Sequence, residues 1–385
     1  MTTTTRKVDE QRSELLEELD SCLDRGRTLP ARWYFDDDVL DLERQFVFRR
    51  TWQLVREVAP LDEPGDCLTD VVAGVPIVIV RGKDDELRGF VNVCRHRGHV
   101  VVGGCGNRTS LQCPYHAWTY GLDGQLRAAP RSDAEPGFDR GEHPLLPVQV
   151  AKWGPLLFAN LDVAAPSFGD QFGELRAVAR KRELELEGMT HRSAEAWDFA
   201  ANWKVFYDNS AECYHCPTIH PTFAKGYGVG VEEYVLESHD AFVYHRSPVK
   251  QGGDESTTHD WEMYSAWPNW SIAIGGSSRV AFVYSFSPVD PGHAQIFTHV
   301  LADPKVSDED AADEMEWWRH IVLDEDRLAC ESVQIGLGSN QIKDGPLLLN
   351  SEHIIQSFQS NLRSALRGSI GDTGGLAMQG LSSTG

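Results

Sequence analysis

The stretch "CRHRGHVVVGGCGNRTSLQCPYHAW", residues 94–118, carries Cys94 and His96 one residue apart, then Cys113 and His116 two residues apart. Sixteen residues separate the two halves. The flanking sequence reads as short strands and glycine turns. "DVVAGVPIVIVRG" (70–82) sets β-branched runs on either side of Ala-Gly, a hairpin signal, and "GPLLFANLD" (154–162) adds a further apolar run. The cysteines and histidines are thus expected on loops of a small all-β module over residues 51–165.

Each half pairs one thiol with one imidazole. Zinc fingers instead group like with like, and covalent haem needs C-x-x-C-H, so both are poor fits. Mixed halves suit a two-iron cluster in which Cys94 and Cys113 hold one iron and His96 and His116 the other. Gly98, Gly103, Gly104 and Gly106 permit tight loops around such a cluster, and Pro114 stiffens the second loop. This is the signature of a Rieske [2Fe-2S] centre. A structural zinc site is the alternative. His99 and Cys105 lie off the pattern and read as packing or surface residues.

The chain has 385 residues, too many for one ordinary core, and two domains, or one large domain with a substantial insertion, are expected. A net charge of −22 argues against nucleic acid and anionic membranes as partners. No run reaches eighteen apolar residues, and "MTTTTRKVDEQRSELLEELD" lacks a signal-peptide core, so a cytoplasmic location is expected. Eight cysteines in such a chain read as metal ligands and buried thiols rather than a disulfide framework. Helices are expected at 8–24 and 36–51, and helix with charged linker over 166–200. Further helices are expected at 202–216, from the Ser307-x-x-Asp310 cap to about 337, and at 352–367. Strands are expected over 231–303, and the tail from Gly368 is expected to fray. The fold class is α+β: residues 1–50 as helices packing on the catalytic domain, 51–165 as the all-β module, and 166–385 as a catalytic domain on a curved antiparallel sheet.

More than 200 residues lie beyond the β module, and they hold "NWKVFYDNSAECYHCPTIH" (202–220). His215 and His220 are five apart, about 140° on an ideal helix. Pro217 is expected to break the helix so that His220 can fold back. Two histidines and a carboxylate with open positions suit a non-haem Fe(II) that activates O2. Glu212, one turn before His215, is a candidate third ligand but reads better as a carboxylate that orients a ligand histidine and links to the cluster. Asp208 is equally well a helix cap or salt-bridge residue. Candidates for the third ligand are Asp324, Glu325, Asp326 and Glu331.

Together these residues resemble the catalytic α subunits of Rieske non-haem iron oxygenases, from about Trp33 to Gly368. The resemblance implies a helix-grip catalytic domain, a cluster on Cys94, His96, Cys113 and His116, and a mononuclear iron on His215 and His220. By the "ED" pair before Glu331-Ser-Val-Gln334 it assigns Asp326 as third ligand, with Asp324 as fallback. It makes Glu212 the carboxylate that bridges the cluster of one subunit to the iron of its neighbour. Glu212 with "CYHCP" resembles the branch holding glycine betaine and carnitine monooxygenases. That branch implies C–N cleavage of a quaternary ammonium compound, a homotrimer, and NAD(P)H electrons from a flavin/[2Fe-2S] reductase or a ferredoxin. Hydroxylation of an aromatic acid and O-demethylation of a methoxy-arene are the alternative substrates. A Rieske electron carrier without a second iron, or a zinc-structured binding module, is the alternative class. Tyr207, Trp267, Asn269, Trp270, Phe282 and Tyr284 are candidate pocket residues, and Arg279 a candidate anchor.

Overall fold

The computed structural model describes residues 3–252, 257–276 and 279–368. The expected fraying beyond Gly368 lies outside them. The chain forms two compact units, Arg49–Asp170 and Met1–Phe48 with Gln171–Gly385.

The Arg49–Asp170 unit is an antiparallel β structure. A seven-stranded sheet runs in the order Gln53–Leu54, Leu156–Asn160, Pro147–Trp153, Leu87–Val91, Val75–Arg81, Asp66–Val72, Gly106–Asn107. A three-stranded sheet holds Leu111–Gln112, Thr119–Tyr120 and Leu126–Ala128. Val72 pairs with Val75 across Ala73 (φ 49°) and Gly74 (φ 76°), two left-handed positions of the kind a tight hairpin requires. Alternation along Val75–Arg81 then divides its side chains. Ile77 and Ile79 join Leu68, Leu157 and Ala159 in one core, whereas Val78 and Val80 join Phe90, Cys94, Cys113, Trp118 and Tyr120 in another. The second core lies beneath the cysteine loops.

The larger unit is built on a seven-stranded antiparallel sheet in the order Thr190–Phe199, His293–Ala302, Val280–Asp290, Trp270–Gly276, His259–Ala266, Phe242–Ser247, Val235–Ser238. The strand Thr190–Phe199 replaces linker expected from "THRSAEAWDF". Most of its residues are exposed or half-buried, so it has no apolar run, and pairing with His293–Ala302 is what makes it a strand. On one face of the sheet, register aligns Ser247 with Trp261, His245 with Met263, and Ala273 with both Met263 and Phe282.

Helix Trp203–Ser210 packs between this sheet and the last helix, Leu349–Arg367. Phe206 meets Phe286 at 5.3 Å, and Tyr207 stacks on Phe358 at 4.1 Å. Asn202 starts the helix, its Oδ1 accepting from the Lys204 amide at 2.9 Å. Ser307 likewise accepts from the Asp310 amide at 3.0 Å. The helix it opens, however, is not continuous: a π-helical segment Arg319–Asp324 separates Asp308–Trp318 from Glu325–Gly338. A similar segment, Arg44–Phe48, follows Asp37–Glu43. Lys204 Nζ and Glu43 Oε1 form an ion pair of 2.7 Å with side chains at most 1% exposed, and Trp203 Nε1 donates to Glu43 Oε2 at 2.8 Å. No helix of the described residues is long and apolar enough to cross a membrane.

Candidate metal centres

The two loops of the β unit have the same local design. Gly98 N donates to the Cys94 carbonyl at 3.0 Å and Ala117 N to the Cys113 carbonyl at 3.0 Å. Both turn residues have positive φ, 72° and 58°. Cys94 and Cys113 are buried, and their thiols adjoin one another; burial first and then Cys94 push the Cys113 thiol up. His96 and His116 lie outward, ring centroids 4.7 Å apart. Two buried sulfurs beneath two outer imidazoles fit a cluster with one thiolate-held and one imidazole-held iron. Cys105 is exposed, and His99 Nδ1 lies 2.5 Å from the Val100 carbonyl.

Tyr120 was not singled out from the sequence. Its hydroxyl accepts from the Arg95 amide at 3.0 Å and lies 3.5 Å from Cys94 Sγ. With the amide occupying the oxygen, the hydroxyl proton is available to the sulfur. A donor to a ligating sulfur favours the reduced, more negative cluster. Tyr120→Phe is therefore expected to lower the cluster's reduction potential by on the order of 20–60 mV, one hydrogen bond's worth for a one-electron couple. Spectroelectrochemical titration would measure it, and an unchanged potential would remove this role.

In the larger unit the helix Trp203–Ser210 ends before Glu212, and the short helix Cys216–Ile219 begins after His215. Pro217 does not terminate the earlier helix as expected. It sits in the first turn of the new one, where a missing amide proton costs little. His215 and His220 flank this single turn. A Cys213–Cys216 disulfide closes the segment that carries Tyr214 and His215. It corrects the expectation of metal ligands and free thiols alone. The pairing is local, three residues apart, which a count of cysteines does not reveal.

Asp326 arrives from the helix Glu325–Gly338. Its Oδ1 lies 2.9 Å from His220 Nε2 and 3.5 Å from His215 Nε2, and the two Nε2 atoms are 3.3 Å apart. His220 and Asp326 are buried, and Asp326 Oδ1 has no well-aligned hydrogen-bond donor among the described residues. Asp324 is on the outside, bonded to His320 Nδ1 at 3.2 Å. Glu212 Oε1 holds His215 Nδ1 at 2.6 Å, and its Oε2 accepts from the amides of Tyr214 and His215. Glu325 Oε2 holds His220 Nδ1 at 2.8 Å. The sequence reading left Glu325 without an orienting role. Only the helix phase reveals that the first acid of the pair steadies one histidine while the second faces both.

The electrostatics call for a cation. Burial opposes protonation of His220, yet Asp326 and Glu325 outweigh it and push the imidazole up to about 9; His215 is raised through Glu212 despite its burial. Two imidazole nitrogens and an undonated carboxylate oxygen converging within 4.8 Å, each imidazole backed by a carboxylate, fit a 2-His-1-carboxylate iron.

The three line an open cavity, about 530 Å³ with the solvent space at its mouth included, with Phe206, Phe223, His245, Trp261, Met263, Tyr284 and Trp318 among its walls. Of the pocket residues anticipated from the sequence, only Tyr284 is there; Tyr207, Trp267, Asn269, Trp270 and Phe282 pack elsewhere, and Arg279 is exposed away from it.

Residues 51–150 match the Rieske [2Fe-2S] domain, and residues 186–368 match the ring hydroxylating alpha subunit catalytic domain. The chain is 32% identical to the carnitine monooxygenase oxygenase subunit of Acinetobacter baumannii, over 86% of this chain and 93% of that one. It is 27% identical to the chloroplastic choline monooxygenase of Beta vulgaris, over 88% and 77%. A solved quaternary ammonium Rieske monooxygenase, described in terms of carnitine oxidation and inter-subunit electron transfer, superposes with a TM-score of 0.78 at 29% identity, covering 90% of this chain and 97% of that one. With a Rieske domain, a ring-hydroxylating catalytic domain and full-length relatives that are monooxygenase subunits, this chain belongs to the Rieske non-haem iron oxygenases.

Proposed function

We propose that this chain is the terminal component of a monooxygenase system acting on a quaternary ammonium compound. The convergence of His215, His220 and Asp326 beside an aromatic-walled cavity carries the reading. Cys94, His96, Cys113 and His116 would hold the [2Fe-2S] cluster, and His215, His220 and Asp326 would hold the mononuclear iron. When bound, the iron supplies O2 activation and the cluster supplies electrons.

The protein's own groups do the rest. Glu212 and Glu325 keep a proton on each histidine Nδ1, which turns both Nε2 lone pairs toward the metal position. Phe206, Phe223, Trp261 and Tyr284 exclude water and offer ring faces to a methylated ammonium group. With O2 and two electrons, one oxygen atom would enter a C–H bond beside that nitrogen and the other leave as water; the resulting hydroxyl then loses its proton as the C–N bond breaks, releasing a tertiary amine and a carbonyl compound. Electrons come from NAD(P)H through a flavin/[2Fe-2S] reductase or a ferredoxin, and Glu212 links the cluster of one copy to the iron of the next in a homotrimer. The solved relative's inter-subunit electron transfer supports this arrangement. The location is cytoplasmic.

The cavity favours this substrate class over an aromatic carboxylate. An anion would call for a cationic anchor, and no arginine or lysine is among the described residues lining it. Substrate-dependent consumption of NADH and O2 with a surrogate reductase tests the reading. Betaines are expected to stimulate both and release a carbonyl product; stimulation by aromatic acids alone would overturn it. Glu212→Gln is expected to retain cluster and iron but to lower coupled turnover by roughly 10- to 100-fold, as loss of a partner behind a metal ligand does. Wild-type product yield from that variant would refute the role of Glu212.

A further inference from the structure

The cavity contains one buried histidine that neither metal centre uses. His245 lies on the strand Phe242–Ser247, opposite Met263, on the sheet face that supplies Trp261 and Met263 to the cavity wall. It is 5% exposed, and its Nδ1 has no hydrogen-bond partner among the described residues. Its Nε2 lies 3.4 Å from the hydroxyl of Ser247, itself fully buried. When that hydroxyl donates to Nε2, the imidazole proton resides on Nδ1. Burial first, and then His215, push the ring down to about 4, so it is neutral. In that tautomer the unpartnered nitrogen is an N–H donor in a buried setting, where an unmade hydrogen bond is costly. Trp318, whose Nε1 is also buried without a partner among the described residues, lines the same cavity.

We propose that His245 is the specificity-determining donor that receives the carboxylate of a zwitterionic substrate, while the aromatic walls take its trimethylammonium end. The inference rests on the functional reading above and goes further by selecting ammonium carboxylates within that class. A zwitterion balances its own charge, so neutral donors suffice for its carboxylate and no arginine is required. Fixing both ends leaves one carbon beside the nitrogen facing the metal position. His245 acts through substrate placement and is a positioning residue.

Calorimetric titration of the iron- and cluster-loaded protein with glycine betaine, L-carnitine and tetramethylammonium tests this. Wild type is expected to bind the better carboxylate roughly 10- to 100-fold more tightly than tetramethylammonium, the span of a hydrogen bond to a charged group. His245→Phe abolishes that preference, leaving iron content and tetramethylammonium affinity unchanged. His245→Asn, which returns an N–H near the Nδ1 position, restores most of it. A preference that survives His245→Phe, an equal loss for all three ligands, or no rescue by asparagine overturns the proposal. Binding by wild type without a carboxylate preference overturns it alone, whereas failure to bind any of the three overturns the functional reading and this inference with it.

Discussion

Asp326→Ala is expected to remove the mononuclear iron and leave the cluster, so that iron per chain falls by about one-third while the cluster's visible absorption stays. Asp326 Oδ1 lies 2.9 and 3.5 Å from the two imidazole nitrogens and has no aligned donor among the described residues to compensate for its burial. Substrate oxidation should fall by more than the roughly 10- to 100-fold that follows loss of a partner behind a ligand. Asp324→Ala is the matched control. Asp324 is 41% exposed in its side chain and is engaged by His320 and Arg327, so iron and turnover should be retained. Iron analysis and turnover of both variants check the assignment. Iron retained in the Asp326 variant but lost in the Asp324 variant would reverse it.

Lys204→Met is expected to destabilise the larger unit by about 3–5 kcal/mol, because it strands Glu43 as a buried, unpaired charge. The pair is 2.7 Å long and essentially inaccessible to water. Burial lowers the ammonium's pKa, with Glu43 working against that effect. Combining Lys204→Met with Glu43→Gln should recover much of the loss, since both charges are then gone. Denaturant unfolding followed by far-UV circular dichroism measures the single and double variants. A mild Lys204→Met, or a double variant no better than the single, would contradict this account. The pair ties Asp37–Glu43 to the helix whose far end leads into Glu212 and His215. Its loss should therefore also weaken iron retention.

The local chemistry was legible in the chain. Cys94 with His96 and Cys113 with His116 are one and two residues apart, and tight loops leave such neighbours few ways to point. The same holds for His215 and His220, which a single helical turn brings within 3.3 Å. Short-range caps were legible for the same reason, as at Ser307.

Tertiary structure decided what depends on long sequence separation. Asp326 rather than Asp324 faces the histidines because packing sets the phase of its helix, and Glu325 reaches His220 across 105 residues. The strand Thr190–Phe199 exists through its pairing partner, since its own residues are mostly polar. The cavity's walls could not be chosen from aromatic content: Trp270 and Phe282 are core, whereas Phe223, Trp261 and Trp318 face the site. His245 is an ordinary strand residue in sequence, and only its buried Nδ1, unpartnered among the described residues, marks it. Spacing along the chain thus determined which groups could share a metal. The sheet and helix packing placed Asp326, which the resemblance had pointed to, beside the two histidines and decided what surrounds them, because those contacts join elements that the sequence leaves a hundred residues apart.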